Sequence, residues 1–166
     1  SLNPNGWPST RFQYFAIGAA SGKNSGRLQK VTQYPQGEAA SASTFLETQF
    51  SNYTELGDPQ TVIDPNGVTT SYTYEGRKRK TQARTVSGQV ETTTWYYDDD
   101  QVTAIGYPEG NFEVLCYRTS AFPSCSGTLT SKLRWRAKTN MLPGPSMEWS
   151  ERIEYTYDLN GFFTGE

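Results

Sequence analysis

Histidine is missing from all 166 residues, which narrows the chemistry open to this chain. Ser-His-Asp and Cys-His nucleophilic centres and histidine-bearing zinc sites are excluded, and the sequence holds no Gly-x-Gly-x-x-Gly or phosphate-loop motif. A few groups remain whose types and spacing carry chemistry. Asp98-Asp99-Asp100 offers the hard carboxylate oxygens that calcium takes. Its structural alternative, which is preferred, is charge pairing with Arg77-Lys78-Arg79-Lys80, since Lys78 and Asp98 each stand ten residues from Gly88 and meet across a hairpin turning there. Lys132, Arg134, Arg136 and Lys138 alternate, so on a strand they form one stripe able to grip phosphate or a sulfated glycan. Glu148 and Glu154 on a return strand would instead neutralise it. Cys116 and Cys125 permit one disulfide, compatible with export, or two buried thiols. Paired carboxylates can hydrolyse glycosides, but nothing in the sequence selects one pair among 17 acids. The chain is therefore read as no enzyme, with no catalytic residues, cofactor or metal.

Turns and strands must hold these groups. Pro65 presets φ in Asp64-Pro65-Asn66-Gly67, Asn66 suits the next position, and Gly67 can take the positive φ that closes a type I turn with a bulge. The strand that follows alternates, with Val68, Thr70, Tyr72 and Tyr74 on one face and Thr69, Ser71, Thr73 and Glu75 on the other. Its aromatic-x-aromatic-acid ending returns as Trp95-Tyr96-Tyr97-Asp98 and as Tyr155-Thr156-Tyr157-Asp158. The turn returns as Tyr107-Pro108-Glu109-Gly110 and Tyr34-Pro35-Gln36-Gly37. Turn glycines at 67, 88 and 110 lie 21 and 22 residues apart, while Gly37 to Gly67 spans 30 and suggests an insertion of about one strand. Such periods mark repeat folds in which each unit packs on its neighbours. Asp64-x-Asn66-Gly67 and Asp158-x-Asn160-Gly161 echo the start of a calcium loop, but lack its spaced acids and terminal Glu and read as turns.

A recurring Tyr-x-Tyr-Asp followed by Gly-Arg, with a Pro-x-Gly turn further on, resembles the Rhs or YD repeat family. The resemblance runs from about Gly26 onward and is carried by Tyr72, Tyr74, Glu75, Gly76 and Arg77, by Trp95, Tyr97 and Asp98 with Pro108 and Gly110, and by Tyr155, Tyr157, Asp158 and Gly161. Glu75 stands where the family usually has Asp, and the residues normally separating acid from glycine are missing before Gly76. The resemblance implies a β-hairpin ribbon spiralling into a shell or barrel, in secreted or cell-surface proteins that include toxins whose shell encloses a toxic domain. Its partners would be neighbouring repeats of the same parent chain, and an enclosed toxin domain or a surface glycan.

Composition agrees with many short strands: 34% hydrophobic residues, 14% aromatics with 11 Tyr, 15 Gly and 9 Pro. A net charge of -2 argues against a general nucleic-acid binder. No apolar run approaches the roughly 18 residues of a membrane helix. The chain begins at Ser1 without an initiator Met, and is read as a fragment or processed product. Residues 1–25 form an N-terminal segment with a candidate strand at 11–17 and a loop at 21–26. Degenerate hairpin repeats fill 26–166, interrupted by a loop at 119–131. Strands are expected at 28–33, 38–50 (with a short helix at 39–46 as the alternative), 61–63, 68–75, 78–86, 89–97, 101–107 and 111–118. A strand carrying Leu133, Trp135 and Ala137 inward then turns at Pro143-Gly144-Pro145. Asn52-Tyr53-Thr54 fits a glycosylation sequon.

The fold expected is all-β, a tandem β-hairpin array forming an open solenoid or shell segment. The function expected is structural, with a carbohydrate-binding or adhesion module as the alternative. Tyr72, Tyr74, Tyr97, Tyr155 and Tyr157 should be mostly buried between hairpins. Uncovered ends, including Phe162 and Phe163, should drive self-association.

Overall fold

A computed structural model describes residues 8–35, 45–119, 125–128, 130–140, 149–158 and 162–165. Gly161, Glu148, most of the helix alternative at 39–46, Gln36 and Gly37 of the turn expected at 34–37, and the turn expected at 143–145 lie outside them. The chain divides into two compact units, Ser1–Glu91 and Thr92–Glu166. The first holds strands β1 (Ser9–Tyr14), β2 (Leu28–Tyr34), β3 (Leu46–Tyr53), β4 (Pro59–Ile63), β5 (Thr69–Glu75) and β6 (Lys78–Val86), with a 3-10 helix at Ala19–Asn24. Strand β7 (Gln89–Asp98) begins in the first unit and continues into the second, which adds β8 (Gln101–Gly106), β9 (Phe112–Cys116), β10 (Trp135–Thr139), β11 (Trp149–Glu154), β12 (Thr156–Tyr157) and β13 (Phe163–Gly165). Within the first unit the sheet order is β1 to β6 in sequence, and within the second β7 to β11, with β12 and β13 pairing separately. The fold is all-β, and each unit is a meander of antiparallel neighbours.

Several boundaries differ from expectation. The first strand sits at 9–14 rather than 11–17, and a 3-10 helix occupies most of the expected loop. Two short-range bonds build that helix, Ser21 N–H to the Gly18 carbonyl and Ser25 N–H to that of Gly22. The Asn24 side chain then accepts from the Tyr53 N–H at 3.0 Å and fastens it to β3. The long interval before Gly67 contains no extra strand among the described residues. It holds β3, a turn at 54–58 and β4, the same two-strand content as the interval from Gly67 to Gly88.

The repeat tyrosines are not the core. Tyr72, Tyr74, Tyr97, Tyr155 and Tyr157 are all half-buried. Among the described residues the buried hydrophobic side chains are Tyr53 in the first unit and Ala104, Val114, Cys116, Trp135 and Ala137 in the second. The reason lies in the architecture: in a meander a large ring lies across its strand neighbours, which shield its sides and leave its outer face open. On β10 the alternation is complete, with Trp135, Ala137 and Thr139 buried and Arg136 and Lys138 exposed. Trp135 packs with Val114, Cys116 and Ala137, and Trp149 meets it edge-on at 5.7 Å between ring centres.

Candidate functional site: the frame of the repeat

Two devices recur along the chain, and both are built by the residues that carry the repeat signature. The first is a turn closed by the side chain of its opening residue. Gly67 N–H donates to the Asp64 carbonyl at 2.9 Å, Asp64 N–H donates to the Val68 carbonyl at 3.0 Å, and Asp64 Oδ1 accepts from the N–H groups of Asn66 and Val68 at 2.8 and 3.0 Å. Gly67 has φ +78°, the left-handed conformation that such a turn demands. Pro65, Asn66 and Gly67 thus occupy the positions their chemistry predicted. Asp158 repeats the arrangement, its N–H donating to the Phe162 carbonyl at 2.9 Å and its Oδ1 accepting from the Phe162 N–H at 2.8 Å. At Asp158 the acid of the repeat is therefore a turn cap.

Around Pro108 and Gly110 the backbone bonds are the same, Gly110 N–H to the Tyr107 carbonyl and Tyr107 N–H to that of Asn111. Tyr107 directs its hydroxyl to Glu113 Oε2 instead, at 2.9 Å. A further copy went unread in the sequence. Gly57 N–H donates to the Thr54 carbonyl, Thr54 N–H to that of Asp58, and Thr54 Oγ1 accepts from the Asp58 N–H at 3.1 Å. Thr54 and Gly57 have the spacing of Asp64 and Gly67, a signal masked because the turn lacks both proline and an opening acid.

The second device joins the aromatic-x-aromatic ending to a two-residue turn and a bulge. Glu75 pairs with Lys78 around Gly76 and Arg77, Tyr74 with Arg79 and Thr73 with Thr81, so that Lys80 is the extra residue. Asp98 pairs with Gln101 around Asp99 and Asp100, Tyr97 with Val102 and Tyr96 with Ala104, leaving Thr103 extra. Thr156 pairs with Gly165 and Tyr157 with Phe163, leaving Thr164 extra, so this ending shares the bulge but joins it to the longer Asp158–Phe162 turn. Asp99 takes φ +51° where Gly76 takes +59°, so the middle of the triple acid is a turn residue. The bulge adds local twist and re-aims the aromatic side chains. Tyr72 and Tyr74 lie 6.4 Å apart, the Arg79 guanidinium sits 4.6 Å from the centre of the Tyr72 ring, and Tyr74 donates to the Pro59 carbonyl at 3.0 Å. Tyr53 likewise donates to the Leu28 carbonyl at 2.7 Å. Burial pushes the Tyr53 and Tyr74 phenols above their ordinary range, against the weaker opposing pull of Arg27 and Arg79, and keeps the donated proton in place.

Most of the charged groups singled out for binding or catalysis are engaged with neighbouring side chains. Asp98 pairs with Arg118, and Lys80 with Glu75 at 3.2 Å. Along the basic stripe, Arg136 meets Glu113 at 3.6 Å and Lys138 meets Glu151 at 2.8 Å. Lys132 lies 5.3 Å from the centre of the Tyr157 ring. Arg134 precedes β10 with its side chain exposed, its N–H donating to the Cys116 carbonyl and its carbonyl accepting from Tyr155. The neutralising acids among the described residues are Glu113 and Glu151, whereas the expected Glu154 pairs with Arg152 at 3.1 Å.

Cys116 and Cys125 are joined in a disulfide, the first sulfur inside the hydrophobic cluster and the second residue exposed. The excursion they staple is tied internally by Thr130 N–H to the Tyr117 carbonyl and by Arg118 to the Gly127 carbonyl. Gln101 Nε2 reaches the Thr130 carbonyl at 2.7 Å and fixes the excursion to the β7–β8 turn. A cavity of about 420 Å³ opens beside it, walled by Tyr96, Ala104, Val114 and Leu115 with the Asp98–Arg118 pair at its edge. Its lining holds no paired carboxylates.

Residues 53–90 match the family model described as RHS Repeat. The match takes in β4, β5 and β6, opening at Tyr53 ahead of the Thr54 turn and ending just after Gly88. It therefore covers both recurring devices, and the chain carries an Rhs repeat, the family its Tyr-x-Tyr-acid spacing resembles. No curated protein matches the chain. Among the described residues no helix is long and apolar enough to cross a membrane.

Proposed function

We propose that this chain is a wall segment of an Rhs-type shell or extracellular spacer, secreted or held at a cell surface, whose work is mechanical and which catalyses no reaction. The observation that carries this reading is that the repeat's signature residues are spent on geometry: Asp64 and Asp158 cap turns, Gly67 and Gly76 supply positive φ, and Tyr74 bridges strands. The partners in this reading are adjoining repeats of a parent chain, with an enclosed toxin domain as the cargo of a closed shell. The mutual neutralisation of Arg136, Lys138, Glu113 and Glu151 favours a wall over a glycan-binding face.

A half-covered sheet also supports self-association, because Phe12, Tyr14, Phe162 and Phe163 are exposed. Sedimentation across a concentration series should show reversible association, and a glycan array should return no defined ligand. A strictly monomeric chain would remove the uncovered-face argument. A defined sugar whose binding is lost on changing exposed aromatics would replace the wall with an adhesion module.

A further inference from the structure

The turn at the head of the β4–β5 hairpin contains a reactive dipeptide, Asn66-Gly67, and both residues are exposed. Asparagine followed by glycine is the pair most open to self-modification, because no side chain on the second residue hinders its amide nitrogen from reaching the asparagine carbonyl. We propose that Asn66 is a latent deamidation site, held in check by the closed turn and released whenever the hairpin opens. In the reaction the Gly67 nitrogen bonds to Asn66 Cγ, the Cγ–Nδ2 bond breaks, and the side-chain nitrogen leaves as ammonia with the proton of the Gly67 amide. Water then opens the succinimide ring at either carbonyl to give aspartate or isoaspartate. No oxidant, metal or enzyme enters the balance.

The closed turn opposes the first step at the attacking atom. Gly67 N–H donates to the Asp64 carbonyl at 2.9 Å, so the nitrogen that must lose its proton is engaged. The neighbouring Asn66 and Val68 N–H groups are both held by Asp64 Oδ1, which fixes the backbone on either side of Gly67. The Asn66 side chain projects from an exposed turn tip whose glycine has open space around its Cα. Restraint therefore comes from the hydrogen bonds and not from burial, and it lasts only while they do.

The product does not fit the turn. Isoaspartate routes the main chain through the former side chain and adds a backbone atom between Asp64 and Val68. The reciprocal closure by Asp64 N–H on the Val68 carbonyl and Asp64 Oδ1 on the Val68 N–H then loses its register. Because this turn lies inside residues 53–90, a single conversion would spoil an Rhs repeat at its head. The modification would thus record, irreversibly, how often the hairpin had been open.

The test is to age the full chain at mildly alkaline pH and follow Asn66 by peptide mapping with isoaspartate detection, beside a peptide of residues 61–71. Conversion in the folded chain should be at least about tenfold slower than in the peptide, the ratio given by an opening free energy of only about 1.4 kcal/mol. Asp64→Ala should raise the folded-chain rate several-fold. Should that variant fail to fold, wild-type chain in sub-denaturing urea provides the same readout, with the rate climbing toward that of the peptide. Equal rates in folded chain and peptide would overturn the protective role of the turn. No conversion at Asn66 in the peptide or the unfolded chain would overturn the site itself.

Discussion

The β5–β6 hairpin and the shorter β9–β10 pair are both antiparallel, yet they are held by different forces. In β5 the aromatic face is half-covered, and the hairpin depends on turn caps, the Arg79–Tyr72 contact and the Tyr74 hydroxyl bond to β4. In β10 every second residue is sealed from solvent, Trp135 retaining 2% of its surface and Thr139 1%, and a disulfide ties the preceding strand to its own loop. The first region keeps the repeat and lacks a dry core; the second departs from the repeat and has one. Rhs-type signature residues thus specify the path of the ribbon, while burial is supplied where the pattern breaks.

Truncation at the two cores would test that contrast most strongly. Trp135→Ala should cost about 3–5 kcal/mol, the range for a fully packed large aromatic, whereas Tyr72→Ala, with part of its ring already in water, should cost about 1–2 kcal/mol. Urea unfolding followed by fluorescence and by hydrogen exchange would measure both. Equal losses would erase the distinction between the regions. The disulfide comes next. Replacing Cys116 and Cys125 by Ser should destabilise the second unit by about 2–3 kcal/mol, as expected for releasing a loop of this length, and leave exchange protection in β4 to β6 unchanged. Non-reducing mass spectrometry should find the two cysteines joined in exported material.

A smaller effect sharpens the repeat side. Asp64→Ala removes the acceptor for two backbone N–H groups at a partly exposed turn, and should cost about 1–2 kcal/mol. Tyr107→Ala leaves the backbone bonds of its turn in place and should cost the turn itself nothing; what it loses is the bond to Glu113. Hydrogen exchange at Val68 and Asn111 separates the two cases, since only the first amide is held by a side chain that the substitution deletes.

How much of this was legible follows from where each signal resides. Turn chemistry is local, so Pro65-Asn66-Gly67, Ser87-Gly88 and Pro108-Glu109-Gly110 were readable from four or five residues at a time. Alternation is equally local and placed Trp135 and Ala137 inward. The Thr54 turn escaped because a threonine hydroxyl does the work of an aspartate without announcing it. That the repeat tyrosines are mostly covered yet not sealed from solvent also escaped, because periodicity reveals which residues share a face and not how completely that face is covered. The same limit applies to the basic stripe: Glu113 comes from β9, whereas the sequence pointed to the return strand. The cysteine pairing was one of two open readings, decided by a loop geometry that spacing does not encode.

The pH profile offers the finest test, since the two ends of the scale probe different bonds. Burial raises the phenol pKa values of Tyr53 and Tyr74 above 10.0, so in the folded chain these hydroxyls remain protonated at pH values where the unfolded chain has begun to ionise. Their contribution to stability is complete below pH 10 and is lost as pH rises through the folded pKa values. Tyr53→Phe should abolish its share of the alkaline loss at a cost of about 1 kcal/mol near neutrality, from the missing bond to the Leu28 carbonyl. Glu47 has the opposite sign. Hydrogen bonding from Lys30 at 2.9 Å is the chief cause that lowers its pKa below 4.5, so its contribution is present above that value and fades as pH falls through the folded pKa. Glu47→Gln should flatten the acid limb by less than about 1 kcal/mol, because the pair is only partly shielded from water. An alkaline limb unchanged by Tyr53→Phe would mean that the β2–β3 pairing does not depend on the tyrosine bridge, and that the repeat is held by its backbone ladder and turn caps alone.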